Sequence, residues 1–186
     1  MVYPQFSSDI TYIQKRIHDL NLKDGNTAVL CGGSAVQMWV GRSRFLQARE
    51  VSDPDCVSDI DLAVSQRNLD ALKLHPEITL TKHRHTNDPS VPVDQDTEFD
   101  SYNDENGYYD IWTQWYEPSK GIVSFDEVRA NSVWSEQVGV WVLTPDYLVA
   151  QRQRSIEFLT GKGSLTPEDQ ERLKKDYADL SALQQV

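Results

Sequence analysis

The sequence predicts an α/β protein: a mixed β-sheet with helices packed on it and a C-terminal helical segment. Three observations predict this class. Short apolar runs at Thr27–Cys31, Asp59–Val64 and Gly139–Leu143 are separated by stretches of helical period. Two aromatic, β-prone runs, Thr97–Tyr102 and Tyr108–Trp115, flank Asn103-Asp104-Glu105-Asn106-Gly107 and read as a hairpin with a longer loop. Thr144-Pro145-Asp146 and Thr166-Pro167-Glu168-Asp169 each place an N-cap, a first-turn proline and acids at the positive end of a helix. The 186 residues fit one domain, with a core over 1–143 and helices over 144–186 closing a cleft.

Taken in order, Ser7-Ser8-Asp9 reads as a helix start, followed by Ile10, Ile13, Ile17 and Leu20 at spacings of three and four. Lys23-Asp24-Gly25-Asn26 ends that helix. Thr27–Cys31 is a buried strand and Ala35–Val40 a helix, so Gly32 and Gly33 fall at a strand-to-helix turn. Arg67–Leu74 reads as a short helix, and Pro76 separates it from the strand-like Glu77–His85. Ile122–Val133 is expected to be helical, before a last strand at Gly139–Leu143. The helix opened by Thr144 runs to about Thr160, and its apolar line through Leu148, Ser155 and Leu159 includes Arg152. A guanidinium there needs an anionic partner, which can be a ligand or a structural carboxylate, unless it snorkels to water. On the final helix the expected buried stripe is Leu173, Tyr177, Leu180 and Leu183, with Arg172–Asp176 and Lys175–Asp179 as exposed ion pairs.

Chemistry concentrates between Cys31 and Val64. Residues without a Cβ let the backbone approach a ligand closely, and N–H groups at a helix start favour an anionic phosphate. Ser34 adds a hydroxyl donor. Asp59 and Asp61, two apart on a strand, leave the same face, while Ile60 and Leu62 face the core. Side-by-side carboxylates repel, and one remedy is Mg²⁺, which takes one or two carboxylates plus substrate phosphates. A tight turn and a solvated strand end are the bland alternatives. Asp110, among Tyr108, Tyr109, Ile111 and Trp112, is out of keeping with a strand that otherwise wants to be buried.

The formal net charge of -11 disfavours general nucleic-acid binding, so any such contact must be local. From Asn87 to Asn106 there are seven acidic residues and no Lys or Arg, which reads as an acidic surface loop. Lys82-His83-Arg84-His85 is the densest basic run, but it lacks the further ligands that zinc needs. Two cysteines, Cys31 and Cys56, no signal pattern and no long apolar run lead to the expectation of a cytoplasmic protein without a membrane partner.

The order strand, Gly32-Gly33-Ser34, helix, then Asp59-Ile60-Asp61 on the next strand resembles the nucleotidyltransferase superfamily with the polymerase-β-like fold, and most of all the AbiEii-type toxin nucleotidyltransferases. The resemblance implies transfer of a nucleoside monophosphate from a nucleoside triphosphate, with Mg²⁺ or Mn²⁺ on Asp59, Asp61 and a third strand carboxylate, Asp110. It implies that Gly32, Gly33, Ser34, Arg152 and Lys175 bind the nucleotide, with Gly32, Gly33, Ser34 and Arg152 on the triphosphate. It also matches Lys175-Asp176 followed by Asp179 and Leu180 to a C-terminal motif that folds back toward the site. Residues 45–57 look like an insertion, and the basic residue the family carries before its aspartates is Arg42, Arg44 or Arg49. The implied acceptor is RNA, within a toxin–antitoxin system that would add an antitoxin protein as partner. An enzyme adenylylating an antibiotic, and a catalytically silent nucleotide-binding module, are the alternatives on the same fold.

Overall fold

A computed structural model describes residues 10–41, 59–85, 99–117 and 120–186. The expected helix start at Ser7–Asp9, the insertion at 45–57 with Arg42, Arg44 and Arg49, Cys56, and the acidic segment up to Glu98 lie outside them.

Among the described residues, helix α1 (Thr11–Asp19) leads through a 3-10 turn at Gly25–Thr27 to strand β1 (Ala28–Leu30) and helix α2 (Gly32–Val40). Strand β2 (Ile60–Val64) and helix α3 (Gln66–Leu72) follow, then β3 (Leu80–His85), β4 (Phe99–Asp104) and β5 (Tyr109–Trp112). A small hairpin of β6 (Gln114–Glu117) and β7 (Gly121–Ser124) precedes helix α4 (Phe125–Ala130), β8 (Ser132–Ser135) and β9 (Val140–Leu143). Helices α5 (Pro145–Thr160) and α6 (Pro167–Leu183) end the chain.

The protein is thus α/β, with a seven-stranded mixed sheet in the order β3-β4-β5-β2-β1-β9-β8. β1 runs antiparallel to β2 and parallel to β9, and β2 runs parallel to β5. The three inner strands β5, β2 and β1 carry the most continuous burial, with Val29, Leu30, Ile60, Leu62 and Ile111 all fully buried. Helix α2 lies against β2, β9, α5 and α6 and is buried from Gly33 to Val40, its Trp39 indole donating to the Leu143 carbonyl at 2.8 Å. No helix among the described residues is long and apolar enough to cross a membrane.

The sequence reading departs most from the structure at two places, besides the expected strand Tyr108–Trp115, which is divided between β5 and β6. The stretch 122–133 is not one helix. Gly121 turns the chain with φ +88°, the β-branched Ile122 and Val123 pair with β6, and helix α4 starts only when the Ser124 hydroxyl accepts the Glu127 N–H. Asn131 ends it, so Ser132 and Val133 enter β8.

The final helix is also rotated from its expected face. Tyr177 is 51% exposed and Leu173 and Leu180 are only half-buried, while Asp176, Asp179, Ala182 and Leu183 form the buried line. Arg152 of α5 decides this. Leaving its guanidinium unpaired inside the protein would cost about 3–5 kcal/mol. Part-exposing a tyrosine forfeits a fraction of the roughly 1.5–3 kcal/mol that burying a large apolar side chain is worth. The helix turns its carboxylates inward accordingly.

Candidate functional site

The parallel register of β2 and β5 places Asp61 directly beside Asp110. The hairpin that presents β5 is closed by the β4–β5 turn. The carboxylate of Asp104 accepts the backbone N–H of Tyr109 at 2.8 Å and of Asn106 at 3.2 Å, and Gly107 supplies the positive φ, +68°, that closes the loop. Asp59 stands one residue ahead of β2, where Ile60 N–H already bonds to the Tyr108 carbonyl at 2.8 Å. Ligand oxygens of Asp59, Asp61 and Asp110 consequently lie within 4.8 Å of one another. This trio is the one group of three or more His, Cys, Asp or Glu found among the described residues that could hold a metal ion.

The glycine turn closes over the same carboxylates. Cys31 N–H donates to the Asp61 carbonyl at 2.9 Å, and Gly33 N–H donates to Asp61 Oδ2 at 3.2 Å. A Cβ on Gly32, whose φ is +52°, would lie 1.9 Å from that Oδ2, so only glycine permits this approach. Helix α2 begins at Gly32 itself, three residues earlier than the apolar pattern suggests, which brings both glycines into its first turn. The Ser34 side chain is turned inward: it is 1% exposed and its hydroxyl donates to the Cys31 carbonyl at 3.0 Å. Cys31 is a buried small hydrophobe, as its setting in the sequence suggests.

Asp61 is half-buried by surface area yet enclosed on its polar side. Burial, then the charges of Asp59 and Asp110, push its carboxyl from 3.8 up to about 7, against the opposing pull of Arg152 and the Gly33 N–H. A site that raises a carboxyl this far near neutrality is short of positive charge. Three hard oxygen donors with no nitrogen or sulfur among them match the preference of Mg²⁺ and Mn²⁺ rather than zinc. The residues therefore fit a divalent cation.

Arg152 lies on the α5 line that also buries Leu148, Ser155 and Leu159, as expected. Its side chain is 12% exposed, and its Nε donates to Asp179 at 3.0 Å and stands 3.5 Å from Asp176. Sequence reasoning found the guanidinium but did not name these partners: it read both aspartates either as i,i+4 surface pairs, of which Arg172–Asp176 is present at 3.9 Å, or as a motif that folds back toward the site. The signal was present in the need of a core-facing arginine for an anion. Lys175 is half-exposed, 3.8 Å from Glu171, and lines a cleft with Arg152 at the α5–α6 junction. On the edge strand β3, Lys82 and Arg84 both pair with Asp100, at 2.9 and 3.2 Å. The larger groove, about 1070 Å³, lies at the other end of β1 between α1 and the β8–β9 turn, and none of the three aspartates lines it.

Comparison with protein-family models, curated proteins and solved structures finds no match to this chain.

Proposed function

We propose that this protein is a divalent-metal-dependent nucleotidyltransferase of the polymerase-β-like kind, closest in its motifs to the AbiEii-type toxin enzymes. One observation carries the reading: three carboxylates from β5 and the start of β2 meet within 4.8 Å under a glycine turn that admits no side chain at Gly32. A structural acidic cluster has no need of that turn.

Asp59, Asp61 and Asp110 would hold Mg²⁺ or Mn²⁺, which when bound neutralises charge on the α-phosphate and the departing oxygens. The rest falls to the chain itself. The Gly32-Gly33 turn lets the backbone approach the phosphates closely while its Gly33 N–H holds Asp61 in place, and Ser34 stiffens the turn by its bond to Cys31. Asp110 accepts the proton of the acceptor hydroxyl as the new bond from that oxygen to the α-phosphorus forms. The bond between the α-phosphorus and its bridging oxygen breaks, and pyrophosphate leaves. Arg152 offsets the mutual repulsion of the carboxylates, which Asp61 experiences directly.

For the acceptor, the C-terminal motif favours RNA and with it a toxin role with an antitoxin partner. A second reading, a cationic small molecule such as an aminoglycoside, gains from the pairing of Lys82 and Arg84 with Asp100, which weakens the basic track at that sheet edge. Incubation with each α-labelled nucleoside triphosphate, total RNA and a panel of aminoglycosides and lincosamides tests the proposal. Label should appear in one acceptor class, only with Mg²⁺ or Mn²⁺, and not with Asp59→Ala. Triphosphate binding by calorimetry without labelling would leave a silent nucleotide-binding module, and neither binding nor labelling would overturn the reading.

A further inference from the structure

Helix α6, joined by Arg152 of α5, borders an open cleft of about 550 Å³, within the size range of small-molecule sites. Its lining is balanced in charge: Arg152, Arg172 and Lys175 face Glu168, Glu171 and Asp176, with Pro167 as an apolar wall. Arg152 is not a spare cation, because its one positive charge already serves two buried carboxylates, Asp176 and Asp179. A polyphosphate with three or four negative charges gains little from such a lining. An uncharged group does not meet that difficulty.

One wall of the cleft is incompletely satisfied. Asp176 is 4% exposed, and its Oδ2 is buried without a hydrogen bond, with Arg172 Nε standing off at 3.9 Å. Leaving a buried acceptor without a donor costs about 1–3 kcal/mol, more when it is charged. A donor supplied by a ligand would remove that cost. Helix α2, whose first turn carries the two glycines, packs against both α5 and α6, which ties this cleft to the glycine turn.

From the cleft, its charge balance and the open Asp176 oxygen, we infer that the α5–α6 cleft receives the nucleoside end of the substrate, with Asp176 Oδ2 accepting a hydrogen bond from a sugar hydroxyl or base amine. The inference rests on the nucleotidyltransferase reading, and it departs from the family resemblance, which would put the triphosphate on Arg152 and Lys175. In this arrangement the phosphates lie toward the glycine turn and the nucleoside toward α6.

The test measures binding rather than turnover. Calorimetry on the whole chain in EDTA uses the four ribonucleosides, their 2′,3′-dideoxy analogues and tripolyphosphate as probes, and tripolyphosphate is repeated with Mg²⁺. At least one ribonucleoside should bind without metal, and Asp176→Asn should weaken it about tenfold while leaving Mg²⁺-dependent tripolyphosphate binding unchanged. Loss of affinity in the dideoxy analogue identifies the sugar as donor, and its retention identifies the base. Glu171→Trp fills the cleft from its exposed rim without touching Arg152, so it should block nucleoside binding even if Asp176→Asn unfolds. If tripolyphosphate binds with Mg²⁺ but no nucleoside binds, or if nucleosides bind indifferently to both substitutions, the inference fails while the enzyme reading stands. If tripolyphosphate weakens in Asp176→Asn or Glu171→Trp instead, the cleft is a phosphate subsite. If neither probe binds under any condition, both readings fall.

Discussion

A Cβ placed on Gly32 would lie 1.9 Å from Oδ2 of Asp61, so the turn and the carboxylate occupy each other's only free space. Gly32→Ala should therefore act twice. It forces a side chain into φ +52°, at about 1–2 kcal/mol, and it displaces Asp61 from the Gly33 N–H. We expect a lower melting temperature by thermal denaturation and, in the same variant, loss of Mn²⁺ binding by calorimetry. Unimpaired Mn²⁺ affinity would mean that the turn does not set the position of Asp61.

The raised carboxyl of Asp61 gives a pH signature with a definite sign. It titrates near 7 in the folded protein against an ordinary 3.8, so the native state binds its proton more tightly. That preference stabilises the fold fully below about pH 4, and it is lost as pH rises through about 7. Metal-free protein should lose melting temperature across this window, and Asp61→Asn should flatten that slope relative to the parent. Cation binding should release a proton below pH 7, read as a buffer-dependent enthalpy. Asp59→Ala and Asp61→Ala should each lower transfer at least about a hundredfold, the scale of removing one preorganised electrostatic contact. Turnover equal to the parent in both variants would remove the two aspartates from catalysis.

Asp110 is tested separately, because it entered the site from a strand whose sequence could also be read as having a solvent face. Its register with Asp61 places it in the acidic trio. Asp110→Asn should weaken Mn²⁺ binding and slow transfer while preserving the β4–β5 turn, which is held by Asp104 instead. A silent Asp110→Asn would return it to the solvent side.

The site was legible because its elements obey simple periods. Asp59 and Asp61 alternate with Ile60 and Leu62, which are core residues, and Asp110 stands among aromatic and apolar neighbours, while its part as third carboxylate came from the family resemblance. The face of α6 was not legible, since Leu173, Tyr177 and Leu180 form a regular apolar stripe and nothing local reveals that a guanidinium on α5 competes for the opposite side. Likewise Ile122–Val133 shows a helical period, and only the pairing of Ile122 and Val123 with β6 and the Ser124 cap break it into three elements. Tertiary partners override local pattern in both cases.

The Arg152 network yields a stability prediction of its own. Arg152→Met would leave Asp176 and Asp179 buried without their cation, at about 3–5 kcal/mol. Urea unfolding should show that loss, and adding Asp179→Asn in the Met background should recover part of it, because one uncompensated charge is then removed. Additive losses in the double variant would mean that the two groups do not interact energetically.

The acceptor gives the last prediction, and it turns on which basic groups remain available. RNA binding at a net charge of -11 needs local cations, and each phosphate contact releases a counterion, so transfer to RNA should fall steeply between about 50 and 200 mM salt. On the edge strand, Lys82 and Arg84 share Asp100, which leaves one net positive charge between them. Around the cleft, Arg172 and Lys175 are half-exposed on α6, where Tyr177 is available to stack on a base. An RNA end entering the site should therefore pass over α6. Lys175→Ala and Arg172→Ala should lower RNA transfer and shallow its salt dependence, whereas Lys82→Ala and Arg84→Ala should change neither. Salt-insensitive labelling of a drug in preference to RNA, with the α6 variants unaffected, would decide for the small cationic acceptor.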